Sequence, residues 1–163
     1  MIRLKTILVP TDFSEFSDAA VKYGYALAEA FGATLDLLNV VTDPYTMPLA
    51  AGGFAGPTGD LLADWERQAK LRLDESIPKG GTIATRTATR VGSPYPEIVR
   101  YAFENTIDLI VLGTHGRGAL GHMLLGSVAE RVVRAAPCPV LTVRHPEREF
   151  IVPDTMEARH DRA

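Results

Sequence analysis

A glycine-rich stretch at residues 113–127 constrains the possible fold of this chain more than any other feature of its sequence. It reads GTHGRGALGHMLLGS and follows the run IDLIVL at residues 107–112, whose length and β-branched content favour a buried strand. Apolar residues then recur with helical spacing at Leu124, Leu125, Val128, Ala129, Val132 and Val133. Glycine lets a backbone approach a ligand closely, and free N–H groups at a helix start carry partial positive charge. This strand, glycine loop and helix therefore predict an anion site, with phosphate as the usual anion.

The rest of the chain alternates between strand and helix patterns. Apolar or alternating runs predict four further strands at residues 4–10, 35–41, 82–91 and 137–143. The first helix follows Thr11, Asp12 and Ser14, which favour helix starts, and Gly32 is expected to end it. The apolar face predicted for this helix consists of Phe16, Ala20, Tyr23, Leu27 and Phe31.

Two more helices are predicted before the third and fourth strands. The second helix ends before the sequence PKGG at residues 78–81, and its predicted apolar face consists of Leu61, Leu62, Trp65, Ala69 and Leu73. The third helix starts at the sequence GSP of residues 92–94. Its residues predicted to face the core are Ile98, Val99, Ala102 and Phe103.

Strands that alternate with helices imply parallel pairing, because parallel neighbours need long crossover connections, and these are expected to be right-handed. The sequence therefore predicts an α/β fold with a single doubly wound five-stranded parallel sheet and helices on both faces. A ligand should lie at the carboxyl ends of the strands where the winding direction reverses. If strands one and four are neighbours, Pro10, Thr11 and Asp12 meet residues 113–127 around one crevice.

Composition and charge favour one domain without a nucleic-acid or membrane partner. The chain has 163 residues, 46% of them hydrophobic and 23% charged, which is enough for one substantial core. The formal net charge is -3, so the basic surplus typical of nucleic-acid or anionic-membrane binding is absent. The single cysteine, Cys138, cannot form an internal disulfide, and neither a signal-peptide pattern nor a membrane-length apolar run occurs. We therefore expect a cytoplasmic location.

Two segments do not fit the alternation of strands and helices. Residues 42–59 are rich in Pro, Gly and Ala and are long for a connection in a compact domain, so a lid is one interpretation. Residues 145–163 are dominated by charge and form a tail that is either disordered or docked on a partner. We expect the globular domain to span residues 1–144, with the tail outside it.

Two familiar phosphate-binding motifs do not explain the glycine stretch. Residues 116–121 match the dinucleotide pattern G-x-G-x-x-G, but that pattern should open the first βα turn and be followed by an acidic residue at the end of the next strand. Here the next strand ends at Arg144. The pattern G-x-x-x-x-G-K-[ST] does not occur, so the lysine that P-loop enzymes place on the phosphates is missing. A dinucleotide site and a P-loop enzyme are both disfavoured.

The complete spacing is Gly113-x2-Gly116-x9-Gly126-Ser127, which resembles the G-2x-G-9x-G-[ST] nucleotide motif of the universal stress protein family. Three other stretches resemble the same family: ILVPTDFS at residues 7–14, DLIVLG at 108–113 and CPVL at 138–141. Within that family the motif separates members that bind ATP or related adenine nucleotides from members that do not. The resemblance implies an adenine nucleotide alpha hydrolase-like sheet with strand order 3-2-1-4-5.

The resemblance also implies which residues contact the nucleotide. Asp12 and Val40 would contact the adenosine end, with Pro10 and Thr11 in the same turn, and Gly113 would contact the ribose. The residues implied for the phosphates are Gly116, Gly126, Ser127 and Val128, with Arg117 as a further candidate. ATP or a related adenine nucleotide is the implied cofactor. We expect magnesium or manganese with it, because a hard divalent ion offsets phosphate charge through oxygen ligands.

Several of these residues also have a purely structural interpretation. The motif glycines could serve only the turn and close helix packing, as in non-binding relatives. Asp12 could be the N-cap of the first helix, with Glu15 completing a box-like pattern. His115 and His122 lie in the loop and are either phosphate contacts or bystanders. No histidine or cysteine has the spacing of a metal site, and Cys138 is interpreted as an ordinary strand residue.

The resulting hypothesis is an ATP-binding universal stress protein that acts as a nucleotide-responsive regulator or stress-resilience factor. The alternatives are a nucleotide-independent interaction module of the same fold and a slow ATP hydrolase. The last strand, from Cys138 to Val143, is expected at the edge of the sheet. Because only Pro137 and Pro139 blunt that edge, and both lie at its beginning, we expect two copies to pair there as a homodimer.

Overall fold

Strands and helices alternate along the described part of the chain, as the hydrophobic pattern predicts. The computed structural model describes residues 2–42, 59–77, 81–114 and 125–144. In chain order the elements are β1 (Thr6–Pro10), α1 (Glu15–Phe31), β2 (Thr34–Val41), α2 (Gly59–Glu75), β3 (Thr85–Val91), α3 (Pro94–Glu104), β4 (Leu109–Gly113), α4 (Ser127–Ala135) and β5 (Val140–Val143). Nearly all of the segment at 42–59 and the whole tail at 145–163 lie outside the described residues, so the lid and the docked or disordered tail stay predictions.

The five strands run parallel in the order β3-β2-β1-β4-β5. The chain winds from β1 outward to β3 and then returns to β4 and β5, so the winding direction reverses between β1 and β4. Helices α1 and α2 pack on one face of the sheet, and α3 and α4 pack on the other. The doubly wound α/β fold and the order 3-2-1-4-5 are therefore confirmed.

The central strand β1 shows why the sheet needs helices on both faces. Ile7 and Val9 belong to the core formed with α1 and α2, whereas Leu8 between them belongs to the core formed with α3 and α4. All three side chains are fully buried. Because successive side chains of a strand alternate between faces, a strand that is apolar at every position must be covered on both sides.

The helix α1 buries a face of small residues, and the apolar spacing predicted only Ala20 among them. The residues it buries are Ser17, Ala19, Ala20, Gly24 and Ala28. A Cβ at Gly24 would collide with the side chain of Val9, so α1 lies too close to β1 for large side chains. The predicted face is wrong for Tyr23 and Phe31, which are exposed. The prediction that Gly32 ends the helix is confirmed by its left-handed φ of 64°.

The other helices confirm part of each predicted apolar face and correct the rest. The predicted positions that are buried are Ala69, Leu73, Ile98, Ala102, Ala129 and Val132. The predicted positions that are exposed are Leu61, Trp65, Phe103 and Val133. On α3, Tyr101 is buried with Ile98 and Ala102, three and four residues apart on one helix face, while Phe103 lies off that face and is 77% exposed. The buried Tyr101 hydroxyl donates a hydrogen bond to the carboxylate of Asp36 at 3.1 Å. Periodicity locates an apolar stripe on a helix but not the edges of that stripe.

The carboxylate of Asp36 also ties the polar strand β3 to the sheet. Asp36 lies on β2 and is fully buried, and it accepts hydrogen bonds from Nε and Nη2 of Arg86 at 2.7 and 2.8 Å. Its hydrogen bond raises the pKa of Arg86, and burial together with the Asp36 charge raises the pKa of Tyr101 to about 12. The predicted edge strand is therefore held by a paired charge as well as by its ladder.

Candidate functional site

The two central strands separate at their carboxyl ends, where the winding direction reverses. At the opposite end, Oδ2 of Asp108 accepts hydrogen bonds from the backbone N–H groups of Lys5 and Thr6 at 2.7 and 3.0 Å, which clamps β4 to β1. Among the described residues, the ladder between these strands ends early, at the pair Leu8 and Ile110. The strands are thus joined at one edge of the sheet and open at the edge where the ligand is predicted.

Buried polar side chains hold the turn that follows β1. The N–H of Thr11 donates to the carbonyl of Leu38 on β2 at 2.8 Å, and Nδ2 of Asn39 donates to the carbonyl of Thr11 at 2.7 Å. The Thr11 hydroxyl lies 3.0 Å from the Ser17 hydroxyl on α1. Thr11, Asn39 and Ser17 are all buried. Because each of these buried groups is hydrogen-bonded, the turn is fixed in one shape by both β2 and α1.

Asp12 is the next residue of this turn and is half-buried. Its Oδ1 accepts hydrogen bonds from the backbone N–H and the hydroxyl of Ser14 at 3.1 and 2.6 Å. Ser14 is the N-cap of α1 and forms a capping box with Ser17. The interpretation of Asp12 as the N-cap, with Glu15 as its box partner, is therefore wrong. The helix begins two residues later than that interpretation requires, and Ser14 instead orients the Asp12 carboxylate.

The junction between β4 and α4 brings the two ends of the glycine motif together. Gly113 ends β4, and the N–H of Thr114 extends the ladder by donating to the carbonyl of Val143 at 2.9 Å. The carbonyl of Thr114 then accepts a hydrogen bond from the N–H of Gly126 at 2.7 Å. Gly126 is the N-cap of α4, whose first residue is Ser127. The start of α4 is therefore held at the carboxyl end of β4.

The backbone conformation does not explain why the motif has glycine at its described positions. Gly126 has φ −70° and ψ 154°, which any residue can adopt. Gly113 lies in an extended strand. By contrast, Gly32 and Gly92 have φ values of 64° and 147°, which favour glycine. A left-handed backbone is therefore not the reason for glycine at Gly113 and Gly126.

The fold brings most of the predicted binding residues to one edge of the sheet. Those within the described ranges are Pro10, Thr11, Asp12, Val40, Gly113, Gly126, Ser127 and Val128. They end β1, β2 and β4 or begin α4, and these ends share the carboxyl edge. Gly116, Arg117 and the loop histidines His115 and His122 lie outside the described residues.

Three residues that shape this edge are not among the predicted binding residues. They are Asn39, Ser17 and Thr114, and all three are buried. Asn39 offers a weak signal, because it is a polar residue near the end of a mostly apolar strand. Ser17 has a local role as the capping-box partner of Ser14, whereas the bond between Thr114 and Gly126 depends on a partner that only the folded chain brings near.

The described part of the chain contains neither a reactive thiol site nor a metal site. Cys138 lies just before β5, and burial raises the pKa of its thiol, which disfavours the reactive thiolate. No group of three or more His, Cys, Asp or Glu side chains suited to a metal ion occurs among the described residues. Within those same ranges, every helix is too short or too polar to cross a membrane.

The sequence profile of the universal stress protein family matches residues 3–144. The chain is also 37% identical over 145 residues to universal stress protein MJ0531 of Methanocaldococcus jannaschii, an alignment that covers 89% of this chain and 85% of that protein. The profile match includes the β1 to α1 turn and the β4 to α4 junction described above. The chain therefore belongs to the universal stress protein family.

Solved structures of related proteins share the fold. Protein MJ0577 of Methanocaldococcus jannaschii superposes with a TM-score of 0.72 at 27% sequence identity, covering 92% of this chain and all of that chain. A universal stress protein solved in complex with cAMP superposes with a TM-score of 0.60 at 26% identity, covering 88% of this chain and 98% of that chain. That second protein binds an adenine nucleotide.

Proposed function

We propose that this chain binds an adenine nucleotide, with ATP as the ligand, at the carboxyl edge of the sheet between β1 and β4. One observation carries the proposal: the N–H of Gly126 donates to the carbonyl of Thr114 at 2.7 Å. That bond places the second half of the glycine motif against the first half, at the end of β4. Because β4 neighbours β1, the motif lies at the same edge as Thr11 and Asp12.

The start of α4 is the proposed phosphate end of the site. The N–H groups of Ser127, Val128 and Ala129 have no acceptor inside the helix, since the first turn of any α-helix leaves them unpaired. Gly126 has no side chain to cap them, and the exposed Ser127 hydroxyl is a further donor. Phosphate oxygens accept such hydrogen bonds, and the helix dipole favours their charge. Gly116 and Arg117 are proposed to complete this end.

Asp12, Val40 and Gly113 are the proposed nucleoside end. Ser14 orients the Asp12 carboxylate before a ligand arrives. This carboxylate can accept hydrogen bonds from adenosine N–H or O–H groups, and little conformational entropy of its side chain is then lost on binding. Val40 is half-buried at the carboxyl end of β2 and offers an apolar surface for the base. Gly113, at the end of β4, is the proposed contact of the ribose. Pro10 and Thr11 are proposed to fix the turn that carries Asp12.

The solved cAMP complex of a 26% identical family member supports an adenine nucleotide as the ligand class. We favour the triphosphate because the first turn of α4 supplies several backbone donors to an anion. The described residues contain no cluster of metal ligands, so magnesium or manganese would be held by phosphate and water oxygens. Nucleotide occupancy would then make the protein a nucleotide-responsive regulator in the stress response of its cell.

The proposed function is tested on the purified protein in two measurements. Mass spectrometry of the small molecules released by denaturation should identify an adenine nucleotide. Calorimetry should show ATP binding, with GTP as the control for base recognition. Phosphate release above a protein-free blank would instead favour a slow hydrolase. A protein that carries no nucleotide and shows no heat with ATP would support the nucleotide-independent interaction module.

We also propose that two copies pair through β5 to form a homodimer. The carbonyls of Pro139 and Val143 accept hydrogen bonds from β4. Since backbone groups alternate sides along a strand, the N–H and C=O groups of Val140 and Thr142 face the open edge. The segment Val140–Val143 carries no charge and leaves Leu141 38% exposed, whereas the opposite edge strand β3 carries two arginines. An uncharged edge is the one suited to pairing with a second strand.

Substitution of Thr142 tests the dimer. Thr142→Pro removes an N–H that faces outward and leaves the β4 ladder intact, and Thr142→Ala is the matched control that keeps this N–H. Light scattering coupled to size exclusion should give about twice the 17.7 kDa chain mass for the wild type and Thr142→Ala, and about the chain mass for Thr142→Pro. A monomeric wild type would defeat the proposal, and a dimeric Thr142→Pro would place the interface elsewhere.

A further inference from the structure

Phe13 has a backbone conformation that bulky residues rarely adopt. It lies between Asp12 and the helix cap Ser14, and its φ of 61° is in the left-handed region. The N–H of Phe13 donates to the Thr11 hydroxyl at 3.0 Å. This bond holds the backbone on the N-terminal side of Phe13 only. Strained residues persist when surrounding contacts hold them, and they cluster at ligand-binding turns. The contacts of the Phe13 ring therefore matter for the shape of the turn.

The ring of Phe13 lies between the core and a positive charge. One side packs against the apolar core formed by α1, α2 and the sheet. The guanidinium carbon of Arg72, on α2, lies 4.1 Å from the ring centroid, well within the range of a cation–π contact. The stack joins α2 to the turn after β1, although α2 contributes none of the proposed ligand contacts.

No acidic side chain among the described residues explains the position of Arg72. Arg67 and Lys70, on the same helix, form ion pairs with Asp64 and Asp74 at 2.7 and 2.6 Å. The guanidinium of Arg72 forms no ion pair with any described residue and lies instead over the ring of Phe13. The placement of Arg72 is therefore set by the aromatic face of Phe13.

We propose that Arg72 is a positioning residue, which holds Phe13 in its left-handed conformation and thereby fixes the Asp12 carboxylate at the nucleoside end of the site. This inference rests on the proposed nucleotide-binding function. It predicts that α2 affects recognition of the nucleoside and not of the phosphates, because the turn after β1 is separate from the start of α4. Arg72 acts through Phe13 and does not itself contact the ligand.

The test compares Arg72→Ala with Arg67→Ala, the matched removal of an arginine from the same helix. Arg72→Ala should weaken both adenosine and ATP by the same factor, about two- to fivefold for the loss of one cation–π contact, and Arg72→Lys should recover part of it. Inorganic tripolyphosphate, which probes the phosphate end alone, should bind unchanged. Arg67→Ala should bind all three probes like the wild type.

A second measurement addresses the turn without any ligand. Amide hydrogen exchange at Phe13 and Ser14 should be faster in Arg72→Ala than in Arg67→Ala, because both amides donate within the turn. In the Phe13→Leu background, Arg72→Ala should have no further effect on exchange or on adenosine affinity. If the wild type binds no nucleotide, the proposed function fails while exchange still decides whether Arg72 holds the turn. Unchanged exchange in Arg72→Ala, or equal losses for adenosine and tripolyphosphate, would overturn the inference.

Discussion

The turn between β1 and α1 and the junction between β4 and α4 lie at the same edge of the sheet but are built in opposite ways. At the first, the side chains of Ser14 and Ser17 satisfy the backbone at the helix start. At the second, the helix begins at Gly126, which has no side chain to donate or accept. Side chains cap the start of α1, whereas the N-cap residue of α4 makes no side-chain hydrogen bond to the helix.

This difference shows how two similar elements divide the work of one site. A capped helix start cannot offer its N–H groups to an anion, but it can hold a neighbouring carboxylate such as Asp12 in place. An uncapped start is less stable by itself and is suited to phosphate. The proposed nucleoside end and phosphate end follow this division. Substitutions that add a cap to one helix start, or remove the cap from the other, are therefore the most direct tests of this division.

The largest effect is expected when α4 is given a cap of the kind that α1 has. Gly126→Asp places a carboxylate on the N–H groups proposed for phosphate, so ATP binding should weaken by ~1.5–3 kcal/mol, the worth of a charge-assisted hydrogen bond. The ligand-free protein should melt at the same temperature or slightly higher, because Asp caps a helix better than Gly. Gly126→Ser is the neutral control and should weaken binding less. Calorimetry and thermal melts measure both effects, and unchanged ATP affinity in Gly126→Asp would exclude phosphate from this helix start.

A smaller effect is expected when the cap of α1 is removed. Ser14→Ala loses the capping bond to Ser17 and the hydroxyl contact to Asp12, so the protein should lose ~1 kcal/mol of unfolding free energy. For a chain of this size, that corresponds to a fall of about 2–4 °C in melting temperature. Ser14→Thr should keep most of the stability. A variant that loses tripolyphosphate binding, with no change in melting, would contradict the separation of the two ends.

The smallest effect is expected from removal of the divalent ion. At α4 the described residues provide only neutral backbone dipoles to the phosphates. Magnesium should therefore offset the negative phosphate charge that these dipoles do not neutralise. Excess chelator should weaken ATP binding by about three- to fivefold, which is less than 1 kcal/mol, and should leave adenosine binding unchanged. Equal ATP affinity with and without chelator would remove the ion from the proposed complex.

Local patterns in the sequence determined the class of fold and the location of the candidate site. The apolar runs and helical spacings depend only on near neighbours in the chain, and they predicted parallel strands, covering helices and the edge where Gly113 and Gly126 meet. The resemblance of the glycine motif added the family. The same patterns placed apolar stripes correctly at Ala69 and Leu73 and at Ile98 and Ala102.

Tertiary structure alone decided which buried polar and charged groups pair with one another within this fold. The buried hydroxyl of Tyr101 finds its hydrogen-bond acceptor in Asp36, which lies 65 positions away in the chain. The shape of the turn after β1 depends on Asn39 and on Arg72, which reach it from β2 and α2. A periodic pattern records that a residue is apolar, but not which distant partner will lie against it. Hydrogen-bond and charge pairing of buried groups requires that partner, so it exists only in the folded chain.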